Sequence, residues 1–206
     1  MGIYERFIFP WILEQLDGPE ITALRAQCIG EAAGDVLEIG LGTGKTLPHY
    51  SPKVISLTAV EPNLGMKSRL DRRIAEASFP VDVQIGTGES LPFEDQRFDS
   101  VCVSLVLCSA RDPLQVVREI RRVLKPGGTF HFFEHVASTD EATRRWQNRL
   151  NGIQRWIGCG CHLNRPTSET IVSAGMKIES LDRRISKEMP IAPSLFPLIV
   201  GTARKV

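Results

Sequence analysis

No apolar run in these 206 residues approaches the ~20 needed to cross a bilayer, which excludes a membrane span on length. The most apolar N-terminal stretch, "MGIYERFIFPWILEQL", is interrupted by Glu5, Pro10 and Glu14. It is neither a span nor a signal peptide, and residues 1–30 are expected to serve as a lid over a pocket or a peripheral contact with a membrane surface. An excess of charge is also missing. Twenty-five Lys and Arg stand against 24 Asp and Glu, a formal net charge of +1, so no broad attraction to nucleic acid is built in and none is expected as a partner. Cysteines do not come in an even set. Five of them, with no secretory leader, do not form a disulfide framework and fit a reducing cytoplasm. Repeats, low-complexity tracts and long linkers are absent, so residues 1–206 read as a single domain.

Within that frame, β-rich apolar runs alternate with helical patterns, the signature of an α/β fold with a parallel sheet. "DVLEIG", "VISLTAVE", "VDVQIG", "FDSVCVSLVL" and "TFHFFEHV" read as five strands, and "KIESLDRRI" and "PLIVGTARKV" as two more. Met66, Leu70, Ile74 and Ala77 recur at helical spacing after the second strand. "RDPLQVVREIRRVLKPGG" reads as a helix capped by Asp112, started by Pro113, complemented by Lys125 and stopped by Pro126-Gly127-Gly128. Residues 137–165 stand outside the alternation. An insertion there would lie as a cap over the C-terminal edge of the sheet, where open α/β folds bind ligands.

The glycine-rich turn "IGLGTGKT" decides between ligand classes. A phosphate loop requires G-x-x-x-x-G-K-[ST], and its first glycine falls on Ile39. A dinucleotide fingerprint requires a third glycine where Lys45 stands. The glycines instead lie at 40, 42 and 44, preceded by Glu38, and Glu61 closes the next strand near the offset of a ribose-binding acid. A carboxylate there accepts from both ribose hydroxyls, so the expected ligand is a nucleoside without a pyrophosphate.

This constellation resembles the S-adenosylmethionine-dependent methyltransferases of the Rossmann-like class. "VLEIGLGTG", "AVEPN", "GTGESLPFEDQRFD" and "EIRRVLKPGGTF" look like four of their motifs in order. The resemblance implies a Rossmann-like, seven-stranded, mostly parallel sheet flanked by helices, and S-adenosylmethionine as cofactor. It implies that Gly40, Gly42 and Gly44 let the backbone approach the methionine moiety, with Glu38 near its amino group. Glu61 would hold the ribose; Pro62, Asn63 and Met66 would lie beside the adenine; Gly88 and Glu89 would line its edge; and Ser104 and Leu105 would touch the cofactor after the fourth strand. Thr87 stands where many relatives carry Asp.

Within the class, "LVLCSARDPLQVVREIRRVLKPGG", "FFEHV", "GCHLNR" and "PLIVGTARK" resemble the membrane-associated alkyl-thiol S-methyltransferases. Those relatives carry an N-terminal membrane anchor, and none is expected in this sequence. The resemblance implies methyl transfer to a small apolar thiol. A quinone, lipid or other C-, N- or O-acceptor, arsenite, and a nucleoside-binding module without catalysis are the alternatives. His135, at the end of the fifth strand, is the candidate general base. Tyr4, Trp146, Trp156 and His162 are expected to build an apolar acceptor pocket, and His131 to pack inside. "CGCH" at 159–162 has no second ligand pair downstream, so no structural metal is expected, although Cys108, Cys159 and Cys161 could meet around a thiophilic atom.

Overall fold

The computed structural model describes residues 18–63, 67–185 and 193–205. Seven strands form one sheet in the order β3-β2-β1-β4-β5-β7-β6. They are β1 (Gly34–Ile39), β2 (Val54–Glu61), β3 (Val81–Ile85), β4 (Phe98–Ser104), β5 (Leu124–His135), β6 (Met176–Ile185) and β7 (Pro197–Lys205). The first five run parallel, and β7 lies antiparallel between β5 and β6. The helices are α1 (Pro19–Ile29), α2 (Lys67–Ala75), α3 (Pro113–Val123), α4 (Glu141–Ile157) and α5 (Thr167–Ser173). This is the Rossmann-like arrangement expected.

Alternation along the strands builds the two cores. Val101, Val103, Phe130 and Phe132 face one way and pack with Val116 and Ile120 of α3. Cys102, Phe133 and Val200 face the other way and pack with Leu24 and Ile29 of α1. Residues 19–29 are therefore a core helix and not a lid, because Ile21, Leu24, Cys28 and Ile29 are buried against the sheet. The first 17 residues, Tyr4 among them, lie outside the described residues. His131 packs inside as expected: its Nδ1 lies 3.1 Å from the Cys28 carbonyl, and burial pulls its pKa down to about 4.

Two expected boundaries move. The helix before β5 ends at Val123, with Leu124 already extended at ψ 135°. Pro126 disfavours helical geometry at Lys125, whose ammonium instead bonds both Asp99 carboxylate oxygens at 2.9 Å. The fourth strand stops at Ser104, because Leu105 turns to φ 60° and leaves the ladder direction.

Sheet order reverses between β1 and β4, which lie side by side although β2 and β3 separate them in sequence. That switch point leaves a crevice at the carboxyl ends of the strands. The glycine turn follows β1 and Leu105 follows β4, so both border it.

Candidate active site

The glycine turn has left-handed backbone at all three glycines, with φ 77° at Gly40, 58° at Gly42 and 78° at Gly44. At Gly40 a side chain is doubly excluded, since a Cβ would stand 2.5 Å from Val106 Cγ2. At Gly42 a Cβ would meet nothing within 4 Å, so this backbone faces open space. The turn runs into a short 3₁₀ turn, Leu47–His49. Among the described residues no α-helix starts between β1 and β2, where a phosphate-binding loop would place one.

Two acids flank the turn. Glu61 accepts the Gly42 N–H on one carboxylate oxygen and the Asn63 N–H on the other, both at 2.8 Å. Burial raises its pKa and these two bonds oppose the rise. Glu38 is buried beneath the turn and accepts from Thr46 Oγ1 at 2.9 Å and the Tyr50 hydroxyl at 3.0 Å. Burial pushes its carboxyl up to about 7, against the pull of those two hydroxyls. The roles of Thr46 and Tyr50 as partners of Glu38 depend on how the turn folds back over β1.

The remaining residues expected around the cofactor divide. Pro62 is exposed, Asn63 is half-buried, and Met66 lies outside the described residues. Gly88 sits between Ile39 and Val116, where a Cβ would be 3.0 Å from each. Glu89 turns its carboxylate to the Arg111 N–H at 3.0 Å and the Asp112 N–H at 3.4 Å, just before α3. It ties the β3–β4 connection to that helix, and the described structure shows it occupied there. Ser104 and Leu105 are half-buried at the end of β4.

Beyond Leu105 the chain turns around one buried carboxylate. Glu134, fully buried next to the end of β5, accepts the N–H groups of Val106 and Leu107 at 2.8 Å and of Cys108 at 3.0 Å. Burial pushes its carboxyl up to about 7 in spite of these three donors. Glu134, and not only its neighbour His135, is a functional residue of this strand end, and a carboxylate inside the apolar strand "FHFFEHV" is the sequence signal that a buried partner exists.

His135 ends β5 half-buried, with its Nδ1 3.7 Å from Cys161 Sγ. Cys108, from the turn held by Glu134, completes a trio whose sulfur and nitrogen atoms lie within 4.8 Å of one another. The thiol of Cys108 bonds toward Cys161 and holds that sulfur well below the ordinary thiol range, and His135 adds to the effect. The same bond, with burial, pushes Cys108 up. Cys159 does not join them; it turns away at φ 47°.

Residues 137–165 return to this edge as α4 and a tight turn. His162 donates its backbone N–H to the Cys108 carbonyl at 2.8 Å, and its Nδ1 lies 3.2 Å from the same oxygen. It therefore fixes the cap turn to the β4–α3 connection; burial lowers its pKa, with Arg165 adding to the shift. Trp146 and Trp156 are 55% and 81% exposed, which a pocket wall is not. They lie with the exposed Ile153 and Ile157 on α4, a helix whose one buried residue is Gln147. Trp156→Ser is accordingly expected to shift stability by less than about 0.5 kcal/mol in a thermal melt.

A family model described as "Methyltransferase domain" matches residues 37–147. That stretch holds the glycine turn, both flanking acids and the β4 and β5 ends. The chain belongs to this methyltransferase family. S-adenosylmethionine is its cofactor, and the chain is an enzyme of the transferase class. Among curated proteins it is 34% identical over 166 residues to a thiol S-methyltransferase of Rattus norvegicus, covering 78% of this chain and 68% of that protein. Among solved structures it is similar to a SAM-dependent methyltransferase of Thermotoga maritima, with TM-score 0.65 and 21% identity over 99% of this chain and 98% of that one. It is also similar to the cyclase SpnF, with TM-score 0.69 and 22% identity over 90% and 80% of the two chains. At those identities the two structures establish the fold alone, and a cyclase among them illustrates that this fold does not dictate the reaction.

Proposed function

We propose that this methyltransferase transfers the methyl group to the sulfur of a small apolar thiol. The observation that carries the proposal is the 34% identity to a thiol S-methyltransferase over 166 residues, a stretch longer than the 37–147 segment common to the wider family. The residues present fit the cofactor. Gly42 offers open backbone beside Glu61, and each Glu61 oxygen accepts one N–H, which leaves a lone pair on each for the ribose hydroxyls. Glu38 would lie near the amino group, Asn63, Met66 and Gly88 near the adenine, and Ser104 and Leu105 along the crevice. Bound S-adenosylmethionine supplies a methyl group already activated on a sulfonium centre.

The chain must then bring a nucleophile to the sheet edge and exclude water. A free thiol with pKa about 8.5 is a few per cent thiolate at neutral pH, so acceptor deprotonation needs modest help. His135 stands at the strand end to take that proton. The five free cysteines suit a reducing cytoplasm. No described helix is long and apolar enough to cross a membrane, and residues 1–17 are the segment through which peripheral membrane contact would be made.

The test is conversion of S-adenosylmethionine to S-adenosylhomocysteine by the purified chain with hydrogen sulfide, ethanethiol, dithiothreitol, a quinol, arsenite or no acceptor. Thiol-dependent turnover is expected; turnover only with the quinol or arsenite, or none, overturns the proposal. A second result is expected from Glu38. An ammonium beside it favours the ionised carboxyl, so binding should release a proton while the free group sits at about 7. Affinity should therefore rise from pH 6 to pH 8, and calorimetry in buffers of different ionisation enthalpy should register proton release near pH 7. Proton uptake, or no pH dependence, would place the amino group elsewhere.

A further inference from the structure

We propose that Cys108, His135 and Cys161 form a binding site for a soft divalent ion of the zinc class, with a fourth position open to the acceptor thiol. The first part stands on the geometry; the second rests on the thiol reading above and deepens it.

The three donors come from three separate elements: the turn after β4, the end of β5 and the cap turn after α4. Tetrahedral binding at about 2.3 Å for sulfur and about 2.1 Å for nitrogen puts ligand atoms about 3.6–3.8 Å apart. Cys161 Sγ and His135 Nδ1 are 3.7 Å apart, and no pair in the trio exceeds 4.8 Å. Small side-chain rotations therefore complete the arrangement. Two thiolates cancel the charge of a divalent ion, which suits a place where both cysteines are buried. The donor set of two sulfurs and an imidazole selects zinc over magnesium or calcium, which take oxygen. The nearby Glu134 carboxylate is already engaged by three backbone N–H groups.

Among the described residues three donors converge, the count of a catalytic zinc site with one position left for a substrate. His135 is half-buried, so that position is reached from the crevice where the acceptor belongs. An acceptor thiol that binds there exchanges its S–H bond for a sulfur–metal bond and gives its proton to solvent. With the ion bound, His135 serves as a ligand and no longer needs to take the proton. The sequence suggested two of these donors, Cys108 and Cys161, with Cys159 as the third; the fold puts His135 in that third place.

The experiment is titration of the chelator-treated, phosphine-reduced full chain with cobalt(II) as an optical probe. One equivalent is expected to bind with a near-ultraviolet thiolate-to-cobalt band that zinc abolishes. Cys161→Ser and Cys108→Ser should each weaken cobalt binding about tenfold or more, while Cys159→Ser should leave it unchanged. Thermal melts of the metal-free variants identify any that fail to fold, and Cys161→Ser, in the cap turn, is the one expected to keep the core intact. Absence of the band, or equal affinity in Cys161→Ser, overturns the ion site. Ethanethiol should shift the visible cobalt bands; unchanged bands overturn the open position. Thiol turnover that survives complete ion removal leaves the methylation reading standing and defeats the ion's part in it. Cobalt binding without turnover on any thiol does the reverse.

Discussion

Glu61→Ala is expected to weaken S-adenosylmethionine binding about a hundredfold, measured by calorimetry or by quenching of intrinsic fluorescence. Each hydrogen bond to a charged group is worth about 1.5–3 kcal/mol, so losing two ribose hydroxyl contacts costs at least about 3 kcal/mol of binding. The folded chain should tolerate the change better than the ligand does. The two N–H groups that lose their acceptor belong to Gly42, which is exposed, and Asn63, which is half-buried, so water can replace the carboxylate at both. Stability should fall by about 1 kcal/mol at most. Glu61→Gln keeps one good acceptor oxygen and should lie between, at about a tenfold loss. Unchanged affinity in Glu61→Ala would remove this residue from the ribose site. A collapse in melting temperature that parallels the affinity loss would instead make Glu61 a brace for the glycine turn.

What the sequence made legible is what short-range chemistry dictates. The spacing of Gly40, Gly42 and Gly44 is a backbone requirement, and all three take the left-handed conformation that glycine permits. The strand "VISLTAVE" appears with the bounds it has in the fold, because its mainly β-branched and apolar residues, buried from Leu57 onward, run up to Pro62. Asp112 caps α3 through the Gln115 N–H because capping is a three-residue affair. Side-chain partnerships across elements were legible only in part: a meeting of Cys108 with Cys161 was, and its inclusion of His135 was not. Cys108 and His135 are 27 positions apart and Cys161 a further 26 along, and the order of strands alone decides that they meet. Cys159 and Cys161 look equivalent in "CGC", yet the left-handed backbone at Cys159 and Gly160 sends one sulfur to the trio and the other away from it. The tryptophans misled for a related reason. Their size argues for burial, but α4 covers the sheet edge through Gln147, which accepts the Ser138 N–H and donates to the Val136 and Leu195 carbonyls. Only Gln147 is buried along this helix, and Trp146 and Trp156 are left exposed.

The change expected to harm the fold most is Glu134→Ala. It strands three backbone donors, those of Val106, Leu107 and Cys108, and Leu107 and Cys108 are buried beyond the reach of water. At about 1–3 kcal/mol for each unsatisfied donor, a loss of about 3–5 kcal/mol follows, or a fall of about 10 °C or more in melting temperature for a chain of this size. Turnover should fall further than stability does, because this turn sets Leu105 against the crevice and Cys108 against His135. Glu134→Gln separates charge from shape. The folded carboxyl sits at about 7, above its unfolded range, so the native state keeps a proton that the unfolded chain has already lost. Wild-type stability from this group is therefore full below pH 4.5 and is lost as pH rises through about 7, whereas glutamine carries no such dependence. The gap in melting temperature between wild type and Glu134→Gln should thus narrow between pH 5 and pH 8. A gap that widens over that interval would mean that the three N–H groups stabilise the carboxylate more than burial opposes it, and Glu134 would then stand at the sheet edge as a fixed negative charge facing Cys108.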